Sequence, residues 1–167
     1  WRICLLSLRI SGTATLVTGA GLAYGQPDLK RLRAFTALSA LGTLTVLVGI
    51  STELSARAAM VFLLVHALYK AALFLGVGAI DHEAGTRDVR LLGGLARAMP
   101  LTAFAVVASA LSMAGLPPFF GFVAKELFSE AKQEAPRAGD ILVIASFAGS
   151  ALVAAAAGLV AWRPFFG

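Results

Sequence analysis

Long apolar runs, each ended by a short charged segment, limit what this chain can fold into. A bilayer with a hydrocarbon core about 30 Å thick is crossed by about 20 mostly apolar residues in a helix. The sequence offers five such stretches: 3–24, 35–50, 58–80, 101–127 with an interruption near 115–118, and 141–162. Only 14% of its residues are charged and 59% are hydrophobic, whereas a soluble domain carries about 25% charged residues. No stretch alternates as a strand or repeats as a barrel would. In lipid only helices and closed barrels satisfy their own backbones. The expectation is an all-α integral membrane fold of about five transmembrane helices, one of them broken, embedded directly in the lipid bilayer.

The formal net charge of +5 does not point to nucleic acid, because the basic residues form no stripe. They sit at the ends of the apolar runs, where they report orientation. Five crossings place Lys30, Arg31, Arg33, Arg87, Arg90, Arg97 and Arg163 on one side. Arg2, Arg57, Lys132 and Arg137 fall on the other. The positive-inside rule then makes loops 25–34 and 81–98 cytoplasmic. Arg9, inside the first run, would snorkel to a surface or face a protein interior; snorkelling is the first expectation. That run is also rich in small residues, which predicts close packing on another helix. Cys4 is the single cysteine, so an intrachain disulfide is excluded and sulfur ligation of a metal is not expected. The chain opens at Trp1 inside an apolar run, without a leader pattern, and reads as one transmembrane segment, 1–167, of a larger protein.

Two places put ionisable side chains deep in apolar sequence. In AAMVFLLVHALYKAALFLGVGAI, His66 and Lys70 are four residues apart, on one helix face a turn apart. A lysine at a helix centre costs about 2.5–3.5 kcal/mol on insertion. The apolar residues after Lys70 span about 15 Å of helix, which is deep for snorkelling. A buried functional role is therefore preferred to a snorkelling one. Imidazole titrates near pH 6.5 when unperturbed, and two such groups one turn apart titrate together. That is the chemistry of a proton relay.

The second place is AGLPPFFGFVAKELF. Gly115, Pro117 and Pro118 would break a helix there, and such breaks occur in membranes where the freed backbone is buried in protein or faces a cavity. The alternative is an ordinary loop, with Lys125 and Glu126 at a surface. The scarcity of charge favours the broken helix, with Lys125 presented inside and Glu126 balancing its charge. The loop DHEAGTRD matches no ligand spacing for zinc or calcium, so no metal is expected. No phosphate loop or nucleophile elbow is present, and no enzymatic site is proposed.

The stretches PDLKRLRAFTALSALG, HALYKAALFLGVGAIDHEAGTRDVRLLGGL, ALSMAGLPPFFGFVAKELF and WRPFFG together resemble the antiporter-like subunits of respiratory complex I and of Mrp-type multisubunit sodium/proton antiporters. The likeness is greatest to the large A subunit of the Mrp type and spans nearly the whole chain. It implies two inverted helical repeats, each with a broken helix, around a polar axis in the membrane middle. Lys125 matches the broken-helix lysine of the second repeat, and His66 and Lys70 the polar positions of the helix before it. Lys30 matches the DLKR lysine, with an accessory or merely topological role. The resemblance implies proton translocation in a multisubunit cation (sodium)/proton antiporter of a cell membrane, multi-pass and bacterial, with other membrane subunits as partners and no cofactor. A redox-driven proton pump, such as complex I or a membrane-bound hydrogenase, is the alternative. A structural membrane component with no ion path is a third reading. The sequence departs from the family in lacking the first repeat. It also carries Phe35-Thr36-Ala37 in place of the usual tyrosine-serine-threonine run, and Arg9 where a small or apolar residue is expected.

Overall fold

A computed structural model describes residues 1–134 and 139–167. The predicted orientation charge Arg137 lies outside the described residues. The described chain is helical: α1 Arg2–Tyr24, α2 Leu29–Ile50, α3 Glu53–Ala84, α4 Pro100–Ala114, α5 Phe120–Gln133 and α6 Gly139–Phe166. Among the described residues, four segments are long and apolar enough to cross a membrane: Arg2–Tyr24, Leu29–Ile50, Glu53–Ala84 and Ile144–Phe166. Helix α4 is apolar but has only 15 residues; together with α5 it forms the broken crossing.

The helix termini follow local chemistry. Asp28 caps α2, its carboxylate accepting from the amides of Lys30 and Arg31. The basic segment that reads as a turn is therefore the first turn of a helix. Thr52 and Ser55 form a reciprocal capping box at the start of α3, which brings that helix forward from 58 to Glu53. Gly85, at φ +62°, ends it in the left-handed conformation.

Lipid tails are as apolar as leucine, so helices in a membrane associate through close fit rather than hydrophobic burial. The α1–α2 pair shows this. A methyl group on Gly12 would come within 2.8 Å of the Val46 backbone nitrogen, and one on Gly19 within 2.6 Å of that of Ser39. Ser39 donates across the seam to the Leu16 carbonyl at 3.0 Å. Arg9, expected to snorkel, donates instead to the Gly49 and Ile50 carbonyls at 2.8 and 3.2 Å. Those are orphan acceptors at the C-terminus of α2, where a cation also suits the helix dipole.

One end of the bundle is laced by backbone bonds. Leu29 donates to the Arg87 carbonyl, Val89 to that of Pro27, Leu95 to that of Pro164 and Ala96 to that of Phe165. Asp28 and Asp88 form an isolated antiparallel bridge, and Arg87 pairs with Asp81 at 2.7 Å. The loops that the charge count puts on one side thus lie at one end, with the C-terminus of α6. Beneath them is a large apolar cluster that includes Leu29, Leu73, Ile80, Val106, Met113 and Phe165. A smaller cluster of Leu16, Val46, Leu47, Ile50, Ala58, Phe128 and Ala131 fills the other end. Polar side chains gather between the two.

Candidate functional site

The broken crossing is built from backbone bonds that leave little unsatisfied. At the end of α4, the amides of Gly115 and Leu116 fold back onto the carbonyls of Ser112 and Leu111, a Schellman closure. Gly115 takes φ +75°, a conformation that side chains resist. Leu116 to Phe119 make the link, with a cis bond between Pro117 and Pro118, and α5 then resumes. Its Gly121 lies directly against the Ser112 carbonyl, where any side chain would collide. The predicted break residues Gly115, Pro117 and Pro118 are therefore all at the interruption.

Lys125 returns to that interruption. Its Nζ donates to the Ala114 carbonyl at 2.6 Å, and its stem passes so close over Gly115 that a methyl group there would strike it. The final carbonyl of α4 is thereby capped by a charge of the sign its dipole favours. Glu126 is not buried and, among the described residues, makes no ion pair with Lys125. Neighbours in sequence on a helix point in different directions. The expected charge balance from Glu126 is not made in this structure.

His66 and Lys70 share a face of α3 but turn to different partners. Lys70 is buried, donating to the Arg33 carbonyl at 2.9 Å and to Thr36 Oγ1 at 2.6 Å on α2. His66 Nδ1 hydrogen-bonds the Tyr69 hydroxyl at 2.8 Å, and its ring stacks on Phe62. Lys30 is exposed in the first turn of α2 and is not among the residues that line this cluster.

A cavity joins these groups. About 40 Å³ is open to the centre of a water molecule, and its walls include Thr36, Ser39, Thr43, Tyr69, Lys125 and Ser150. Roughly 10–15 Å³ on this measure admits one water, so a short file of waters fits. Lys125 lines the cavity itself. Lys70 reaches its wall through Thr36, and His66 through Tyr69.

Four participants escape a sequence reading based on charge and span. Thr36 and Tyr69 carry no charge. A signal does exist for Tyr69, which follows His66 by three residues and so shares its face. Arg33 and Lys132 are expected at surfaces, yet both are buried. Arg33 lies over the Phe74 ring at 4.2 Å and donates to the Phe74 carbonyl. Lys132 donates to Ser146. Position near the end of a run does not say whether a side chain faces water or a neighbouring helix.

The helices, the broken crossing and the buried polar layer define a multi-pass membrane protein with polar groups in its interior. The family described as "NADH:quinone oxidoreductase/Mrp antiporter, TM" matches residues 3–152, and the chain belongs to it. It is 46% identical over 119 residues to a probable K(+)/H(+) antiporter A/B subunit of Rhizobium meliloti (strain 1021), covering 71% of this chain and 12% of that protein. It is 45% identical over 128 residues to the Na(+)/H(+) antiporter A subunit of Bacillus subtilis (strain 168), covering 70% of this chain and 16% of that one. Among solved structures, a chain of the Mrp complex from Dietzia sp. DQ12-45-1b superposes with a TM-score of 0.88 at 38% identity, covering 98% of this chain and 18% of that chain. The chain thus spans less than a fifth of the length of each of these proteins.

Proposed function

We propose that this chain is the proton-conducting second-repeat portion of the A subunit in a multisubunit cation/proton antiporter. The observation that carries the reading is the convergence of Lys125, the Lys70–Thr36 pair and the His66–Tyr69 pair on one water-sized cavity. Ammonium, imidazole and hydroxyl groups are exchangeable donors and acceptors, and waters between them complete a route. A proton leaving Lys125 for a cavity water can be replaced from the Lys70 or His66 side without the backbone moving.

The names of the relatives favour a secondary transporter over an enzyme and over a redox-driven pump, and favour other membrane subunits as partners, with sodium or potassium as the exchanged cation. They also favour a bacterial plasma membrane. Loops 25–34 and 81–98 face the cytoplasm in this reading, in keeping with the excess of Lys and Arg at that end.

The test is Lys125→Ala in the full-length protein within its assembled complex. Cation-driven proton exchange in everted vesicles is expected to fall at least about tenfold, as when a proton-transfer group is removed. Exchange at the wild-type rate with normal assembly would show that the proton route does not use this lysine.

A further inference from the structure

Lys132 is a second lysine on the inner face of α5, and the route through Lys125, Lys70 and His66 does not use it. It follows Lys125 by seven residues, two turns along one face, or about 10 Å of helix. Its residue is only 4% exposed. The ammonium lies 4.5 Å from the centre of the Phe128 ring and 5.6 Å from that of Phe147, and donates to Ser146 Oγ at 2.8 Å. Phe128 is at the same time a wall of the cavity that Lys125 lines. One aromatic ring thus separates a water-sized cavity from a second buried amine.

A lysine in the last turn of a helix ordinarily serves the helix dipole, and it does so from the surface. This one is withdrawn from water instead, at an energetic cost that such burial always carries. The partners it has gained suit a group that changes charge. Aromatic faces favour the ammonium. A serine hydroxyl can accept from the ammonium or donate to the neutral amine, whereas a carboxylate would hold the proton in place. Among the described residues no carboxylate forms an ion pair with Lys132.

We propose that Lys132 is a proton-transfer station between the Lys125 cavity and the α5 end of the bundle, with Phe128 as the partition between them. The proposal rests on the proton route through Lys125. The Lys125 ammonium gives its proton to a cavity water. That water passes a proton to the neutral Lys132 amine when the Phe128 ring swings aside. The Lys132 ammonium then releases a proton to water at the α5 end and is neutral again. The Lys125 amine takes up a proton delivered through the cavity from the Lys70 or His66 side, so both amines return to their starting charge.

Arginine separates this role from a structural one, since it keeps the charge, the ring contact and the bond to Ser146 but does not release a proton. The test uses Lys132→Met, Lys132→Arg and Lys132→His in the full-length protein within its complex, with assembly measured by copurification and Lys125→Ala alongside. Cation-driven proton exchange is expected to fall about tenfold in both Lys132→Met and Lys132→Arg, and to recover in Lys132→His, whose imidazole titrates. Wild-type exchange in Lys132→Arg overturns the proposal. If Lys132→Arg fails to assemble, the comparison of His with Met decides: recovery in His supports the station, and equal loss overturns it. Wild-type exchange in Lys125→Ala would sink the proton route itself, independently of Lys132.

Discussion

Among the described residues, the buried and half-buried lysines are held by neutral oxygens rather than by carboxylates. Lys70 binds a carbonyl and a threonine, Lys125 a helix-end carbonyl, and Lys132 a serine. An ion pair would lock a proton onto the amine, and removing one member would leave an uncompensated buried charge. Dipoles hold it less firmly, which leaves the amine free to exchange. The Tyr69 hydroxyl is the neutral partner that ties His66 to the cavity wall. Tyr69→Phe keeps the ring and removes that link. Exchange in vesicles is expected to fall about three- to tenfold with assembly unchanged, the scale of one hydrogen bond of about 0.5–1.5 kcal/mol. An unaltered rate would place His66 outside the route. Lys70 is legible as a buried group because the apolar sequence on either side leaves a charge nowhere else to go, and Lys125 as an inward-facing one because it follows a break in an apolar run. Arg33 and Lys132 are not, since each sits within reach of a charged loop and only the neighbouring helices, α3 and α6, decide which way it faces.

At the level of elements, the most legible feature is the broken crossing. Two prolines and a glycine inside an apolar run leave few structures open, and the interruption falls where they stand. What residue order does not convey is how close the two halves come. Gly121 touches the Ser112 carbonyl, a fit that depends on the angle of the link rather than on residue type. Gly121→Ala is therefore expected to push α5 off α4 at a cost of about 1–3 kcal/mol, read as a lower unfolding temperature of the purified complex. Gly78→Ala is the control, because a methyl group there meets nothing within 4 Å. Equal melting of the two variants would mean that the α4–α5 contact is unimportant. The start of α2 is less legible: Lys30, Arg31 and Arg33 suggest a loop, but Asp28 caps the amides that follow it and turns the same residues into helix.

Across the whole molecule, the laced end and the opposite end are chemically distinct. Helix count and order are legible from hydropathy alone, while the lacing is not, because it uses backbone groups that every sequence shares. Orientation can be read with single cysteines in a cysteine-free background of the full-length protein, Cys4→Ser included. Glu83→Cys near the laced end is expected to react with an impermeant thiol reagent only in everted vesicles, and Glu53→Cys at the other end only in intact cells. The reverse pattern would invert the assignment of the cytoplasmic face.

The lacing also has an electrical side. A membrane voltage falls mainly across the parts of a protein that hold least water. The larger of the two apolar clusters lies between the laced loops and the cavity, and most of the potential is expected to drop across it. Moving one charge through the full field is worth about 2.3 kcal/mol per 100 mV. On the proposed route, a proton that reaches Lys125 from the laced face passes the larger apolar cluster, and that step is expected to be the voltage-sensitive one.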